Sequence, residues 1–153
     1  MRTEHLDFVT FCVGSLSDAL NKSASQVYDA LRSSGVLNDY IVPCYDVLHT
    51  FSKDYLVEEL TEVLKERGAL AWKVRLSEIP VEANKTILQM KYARIVAIFA
   101  KESGLPLEDA LAFFYDSDTY KLISEGVADM HCRSDEYLAD ELMLEYKEQV
   151  CSQ

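Results

Sequence analysis

Two histidines in similar surroundings are the residues of this chain best suited to chemistry. Asp46 precedes His49 by three positions, and Asp129 precedes His131 by two. An imidazole near neutral pH can bind a metal or transfer a proton. Cys132 follows His131, but the chain has no C-x-x-C or H-x-x-x-H spacing typical of zinc sites. The pattern therefore favours structural histidines that bond to backbone at helix ends or to a neighbouring carboxylate. A metal or small-ligand site that uses both histidines between two halves of the chain is the alternative.

Two tyrosine–glutamate pairs form a second set of candidate binding residues. Tyr55 and Glu59 stand four positions apart, as do Tyr137 and Glu141. Residues with this spacing share one face of a helix. Tyrosine combines an apolar ring with a polar hydroxyl and is enriched at protein interfaces. The sequence predicts that these four side chains contribute to binding.

An acidic segment near the end of the chain is the third candidate. Residues 135–148 contain six acids and one base. Asp140, Glu145 and Glu148 are predicted to lie away from the apolar stripe of their helix. A solvated helix face is one interpretation, and a docking face for a basic partner is the other.

These candidates lie in a segment that occurs twice. Residues 49–60 and 131–142 are identical at six of twelve positions. Internal similarity of this kind is typical of repeated structural units. The sequence therefore predicts a tandem, pseudo-twofold repeat of two small helical units.

Apolar residues recur at helical spacing through most of the chain, which has only five glycines and three prolines. We expect an all-α fold, with about eight helices forming one bundle. Residues 1–68 and 80–153 form the two predicted repeats, and residues 69–79 form a linker. Apolar residues alternate in the linker: Leu70, Trp72, Val74 and Leu76. In the first repeat a helix is predicted over residues 38–48, with a bend at Pro43.

The charge balance excludes several classes of partner. The chain has 15 Lys and Arg against 26 Asp and Glu, a formal net charge of -11. Nucleic acids and anionic membranes attract basic proteins, so neither is an expected partner, whereas a basic protein is. No run of about 20 apolar residues predicts a membrane span. The sequence begins without a signal-peptide core and has no C-x-x-C pair among its four cysteines, so we expect a cytoplasmic protein.

No catalytic, cofactor or metal motif is present in the sequence. Phosphate-binding loops, dinucleotide-binding glycine patterns, the G-x-S-x-G nucleophile turn and the H-E-x-x-H zinc motif are all missing. No residues assemble a nucleophile with a base. We therefore expect a non-enzymatic protein that uses no cofactor.

Segments of both halves resemble a family of small helical bacterial proteins, domain of unknown function number 3791. Residues 40–50 and 55–60 carry the resemblance in the first half. Residues 90–96, 110–115 and 129–132 are similar to a sister group of the same family. The resemblance implies two related copies fused in one chain.

Members of that family are usually separate short chains encoded beside a protein that resembles an ADP-ribosyltransferase. The resemblance therefore implies an accessory, antitoxin-like partner of such a protein, and it implies no catalytic residues. This chain departs from the family pattern because it joins both groups in one polypeptide. A protein-binding accessory function is the resulting prediction.

Overall fold

The protein was analysed as a computed structural model that describes residues 1–70 and 83–151. In the first part of the chain the α-helices are α1 (Thr3–Leu20), α2 (Ala24–Ser33), α3 (Tyr45–Leu48) and α4 (Lys53–Glu66), with a π-helix at Leu37–Ile41 between α2 and α3. In the second part they are α5 (Ala83–Ser103), α6 (Leu107–Asp116), α7 (Asp118–Ser124) and α8 (Asp135–Cys151), with a 3₁₀-helix at Val127–Cys132 between α7 and α8.

The predicted all-α class is confirmed, since the described residues contain eight α-helices and no strand. The chain divides into two compact units, Met1–Thr86 and Ile87–Gln153. The predicted linker at 69–79, with its alternating apolar residues, lies almost wholly outside the described residues. Its boundaries with the repeats at 1–68 and 80–153 stay a prediction. Among the described helices, none combines the length and the apolar character needed to cross a membrane.

In the first unit α1 packs against α2 and α4. The buried side of α1 follows from apolar residues three and four positions apart: Leu6, Val9, Val13 and Leu16. A capping box starts α2, in which Ser23 Oγ accepts from the Gln26 amide (3.2 Å) and Gln26 Oε1 accepts from the Ser23 amide (3.3 Å). Local sequence therefore sets where α2 begins.

In the second unit α7 packs against α6, the 3₁₀-helix and α8. Much of its interior is aromatic, and neighbouring ring centroids in the central cluster lie 5.2–5.5 Å apart. The members of that cluster are Tyr92, Phe114, Tyr115 and Tyr120. Ring pairs at these distances favour edge-to-face and tilted packing, as observed here. Much of the high tyrosine content of the second half thus serves packing.

The prediction of a single helix over residues 38–48 is wrong. The segment forms the π-helix Leu37–Ile41 and, after a turn, the short helix α3. In the π-helix the Val42 amide donates to the carbonyl of Leu37, five residues back (3.0 Å). Pro43 has no amide hydrogen and its ring conflicts with the preceding helical turn, so the helix breaks there rather than bending.

The two units contain their helices in the same order: a long helix, a ten-residue helix, two short helical segments and a closing helix. Eight apolar residues that recur at helical spacing are at most 1% exposed: Val13, Leu16, Leu56, Leu60, Ile95, Phe99, Leu138 and Leu142. The structural equivalence of residues 49–60 and 131–142 as a repeat stays a prediction.

Candidate functional site

His49 ends α3 and bonds to the backbone of its own turn. Its Nδ1 lies 2.7 Å from the carbonyl oxygen of Tyr45, and its ring stacks on the Tyr45 ring at 4.8 Å between centroids. A carbonyl oxygen only accepts, so Nδ1 must carry the hydrogen and donate it. His49 thus has the local, helix-end bond that the sequence predicts for a structural histidine.

His131 lies in the last turn of the 3₁₀-helix and is exposed. It makes no hydrogen bond with any residue that the structure describes. Its ring lies beside Gly126, where an added Cβ would be 3.6 Å from Nδ1. The predicted local bond is therefore found for His49. It stays a prediction for His131, because the side chain of the neighbouring Asp129 lies outside what the structure describes. Within the described ranges no three metal-binding side chains group together, and the two-histidine site between the halves stays a prediction.

Tyr55 and Tyr137 occupy the third position of the closing helices α4 and α8. A serine caps each helix: the Tyr55 amide donates to Ser52 Oγ (3.4 Å), and the Tyr137 amide donates to Ser134 Oγ (3.2 Å). Both tyrosines are large exposed side chains, at 50% and 43%. The Arg133 guanidinium lies 5.6 Å from the centre of the Tyr137 ring, in cation–π geometry. The two predicted tyrosines are thus accessible to a partner.

Glu59 and Glu141 differ, although the sequence pairs them. Glu59 accepts a hydrogen bond from the Tyr40 hydroxyl (2.6 Å). This bond, with partial burial, raises the pKa of Tyr40 to about 12. Glu141 is half-buried and has no ion pair or hydrogen bond to a described residue. Glu59 is therefore engaged inside the first unit, whereas Glu141 is available to a partner.

Glu145 caps the helix α7. Its Oε1 accepts from the Asp118 amide (2.8 Å), and its Oε2 accepts from the Thr119 amide (3.2 Å) and the Thr119 hydroxyl (3.0 Å). These amides begin a helix and have no helical acceptor, so the carboxylate satisfies them from a neighbouring helix. Sequence reasoning placed Glu145 with the exposed acids. In the structure Glu145 links α8 to the start of α7. Its carboxylate is therefore already engaged, unlike that of an exposed acid that could contact a partner.

The side of α8 opposite its buried leucines combines apolar and acidic residues. With 100° of rotation per residue, Tyr137, Asp140, Leu144 and Glu148 point away from Leu138 and Leu142. All four are exposed, Leu144 by 55%. We call these four residues the outer face of α8; Glu141, Cys151 and the exposed base Lys147 border it. Sequence reasoning missed Leu144, which it could have found from its seven-residue spacing after Tyr137.

The corresponding face of α4 is acidic after its tyrosine. Residues 82 positions earlier than the outer face of α8 are Tyr55, Glu58, Glu62 and Glu66, and all are exposed. We call these the outer face of α4. Glu62 pairs with Lys65 on the same helix (3.4 Å). The two faces differ in kind at one position, since Glu62 stands where α8 has Leu144.

A cavity of about 480 Å³ opens at the start of α1, lined in part by His5, Tyr45 and Asp46. The buried His5 ring already has neighbours: it accepts from the Arg2 amide (3.4 Å) and packs against Tyr45 at 5.1 Å. The cavity lining includes the acids Glu4 and Asp46, which disfavour the binding of an anion. The cavity therefore does not identify a ligand.

Residues 7–67 match the sequence model of a family described as a protein of unknown function (DUF3791). The match runs from α1 to the end of α4 and shows one copy, so the predicted second copy stays a prediction. No curated protein and no solved structure matched the chain.

Proposed function

We propose that this protein is a non-enzymatic accessory protein that binds a basic protein partner through the outer face of α8. The observation that carries the proposal is the exposure of Tyr137 (43%) and Leu144 (55%) on the same side of one helix. Seven residues separate them, a rise of about 10 Å along the helix. Exposed apolar groups grouped in this way are typical of binding surfaces.

The two side chains have complementary roles in such a contact. The Tyr137 ring supplies a large rigid surface with few rotatable bonds, and Leu144 supplies a compact apolar anchor one heptad later. Interfaces obtain most of their binding energy from a few such anchors surrounded by polar residues that exclude water. Asp140 and Glu148 are placed to form that polar surround.

Charge favours a basic partner. The chain carries a formal net charge of -11, and the anchors lie among Asp140, Glu141 and Glu148. A surface of this sign attracts and orients a positively charged protein and repels an acidic one. Burying the anchors against a basic surface would place each acid beside a cation.

The partner we propose is the ADP-ribosyltransferase-like protein that is encoded beside members of the family. The match of residues 7–67 to that family supports this assignment. In this role the accessory protein restrains the transferase-like protein, as an antitoxin does. A binding role rather than a catalytic one is also supported by His49, whose Nδ1 bonds to a backbone carbonyl instead of a nucleophile.

The test is a binding measurement with the purified protein encoded next to this chain, which the proposal expects to be the transferase-like protein. We expect a D140K/E148K variant to associate about tenfold more slowly than the parent at low salt. The matched control is E58K/E66K, which reverses the equivalent acids on the outer face of α4 and should change the rate less than twofold.

Equal slowing by both variants would mean that only the total charge matters. No binding by the parent chain would reject the proposed partner. Thermal unfolding of each variant checks that the fold is intact.

A further inference from the structure

The apolar spacing on α8 extends over two heptads. Tyr137, Leu144 and Cys151 follow one another at seven-residue intervals, and all three are exposed. A seven-residue repeat drifts by only about 20° per heptad on a straight α-helix, so the three side chains form one nearly straight seam. The seam is about 21 Å long, equal to four helical turns.

Acids stand on both sides of this seam. Measured from the preceding seam residue, Asp140 and the base Lys147 lie about 60° to one side, and Glu141 and Glu148 lie about 40° to the other. Residues in such flanking positions select the partner of a coiled coil by charge. With three acids and one base on its flanks, the seam fits a helix whose flanking positions carry mainly Lys or Arg.

We propose that the occupant of this surface is an amphipathic basic α-helix of the partner, lying along α8 with its apolar residues in the heptad seam. This inference rests on the proposed binding function and adds the structural class of the partner segment. A small basic patch would cover one anchor, whereas a helix covers the seam from Tyr137 to Cys151. Helices that dock on a surface with i, i+7 anchors are a common mode of peptide recognition.

Charge argues against a second copy of this chain as the occupant. Pairing two α8 helices along their seams would bring Asp140, Glu141 and Glu148 of one copy against the same acids of the other. Like charges that face each other across a helix pair are destabilising. The equivalent seam of α4 is interrupted by Glu62, so it lacks the second anchor.

The probe is a synthetic 21-residue peptide with Leu at the heptad core positions and Lys at the flanking positions, labelled for fluorescence anisotropy. We expect it to bind the parent chain at physiological ionic strength, and to bind an L144E variant at least about tenfold more weakly. A Y137A variant should weaken binding in the same direction. The matched control E62A, which changes the equivalent position of α4 without supplying an apolar anchor there, should leave binding unchanged within twofold.

A second peptide with the same composition in scrambled order, which forms no leucine stripe, should bind at least about tenfold more weakly than the first. Equal binding of the two peptides, or equal binding to the parent and the L144E variant, would overturn the inference, because α8 would then attract any polycation. Helix content and unfolding of each variant are measured by circular dichroism, and Y137A decides the result if L144E does not fold.

The peptide readout does not use the transferase-like protein. Heptad-dependent peptide binding without binding of that protein would reject the proposed partner and retain the inference. If that protein bound the parent and the L144E variant with equal affinity, the inference would be rejected and the proposed partner would be retained.

Discussion

The closing helices α4 and α8 share their inner sides and differ on their outer sides. Each begins after a serine cap, and each buries one leucine pair at equivalent positions, Leu56 and Leu60 in α4 and Leu138 and Leu142 in α8, all at most 1% exposed. On the outer sides, the acid Glu62 of α4 faces solvent where α8 presents Leu144. The inner residues secure each helix, and we propose that the outer residues serve binding in α8 and solvation in α4.

An ion pair anchors the start of each helix, but α4 supplies the base of its pair whereas α8 supplies the acid. Lys53 of α4 reaches Asp18 of α1 at 4.0 Å, whereas Asp135 of α8 pairs with Lys91 (2.9 Å) and Arg94 (2.6 Å) of α5. The contact in the second unit is shorter and doubled. The helix that carries the proposed docking face is therefore held more firmly at its beginning.

The largest expected effect tests the shared inner side. Replacing Leu60 or Leu142 with alanine should each lower the free energy of unfolding by about 2–5 kcal/mol, because each change leaves a cavity in a packed core. Urea unfolding followed by circular dichroism measures both. As a control, L144A on the exposed side should change stability by less than about 0.5 kcal/mol. If L142A lowered the free energy of unfolding only slightly while L60A lowered it by several kcal/mol, the inner sides of the two helices would not be equivalent.

The next effect concerns a contact of α8 for which α4 has no counterpart. E145A should lower the free energy of unfolding by about 2 kcal/mol, since two helix-start amides and the Thr119 hydroxyl lose a charged acceptor. Position 63 of α4, its counterpart, is a valine and supplies no such cap. D140A is the control on the same helix. Equal stability of E145A and D140A would contradict the claim that the Glu145 carboxylate stabilises the fold by linking α8 to α7.

The smallest expected stability effect comes from removing the ion pairs at the starts of α8 and α4. Burial tends to raise the pKa of Asp135, but hydrogen bonds from Arg94 and Lys91 outweigh it, and the pKa lies below its usual value. D135N should therefore cost about 1 kcal/mol at pH 7, and K53A less. A lowered pKa stabilises the fold above the unfolded pKa of about 3.9, and this contribution is lost as pH falls through the folded value. The stability difference between parent and D135N should accordingly shrink below about pH 4. A constant difference from pH 7 to pH 3 would contradict the assignment.

Local signals predicted much of this fold. Serine caps at Ser23, Ser52 and Ser134 and the buried leucines follow from residue type and helical spacing alone. The break before α3 was missed because helical spacing around Pro43 continues in the sequence although the proline backbone cannot. The role of Glu145 was missed for another reason: it depends on which helix end lies beside α8, and one-dimensional spacing does not encode that contact.

For the candidate site, spacing predicted the exposed tyrosines but not the difference between Glu59 and Glu141. Glu59 is engaged because the Tyr40 hydroxyl of the π-helix lies 2.6 Å from it, and spacing along the chain does not encode a contact between these two segments. Leu144 went unnoticed because acids dominate its surroundings in the sequence. Comparison with Glu62, an acid at the matching position of α4, identifies Leu144 as the residue that distinguishes the two outer faces.

One comparison tests the central claim, that the partner binds α8 rather than α4. The affinity of the transferase-like protein is measured by titration calorimetry for the parent chain, L144E and E62A, each with its unfolding temperature. We expect L144E to weaken binding at least about tenfold, a loss of about 1.4 kcal/mol or more, while E62A, which adds no apolar anchor to α4, binds like the parent and both variants unfold at parental temperatures. Unchanged affinity in a folded L144E variant would contradict the claim that the outer face of α8 is the binding surface.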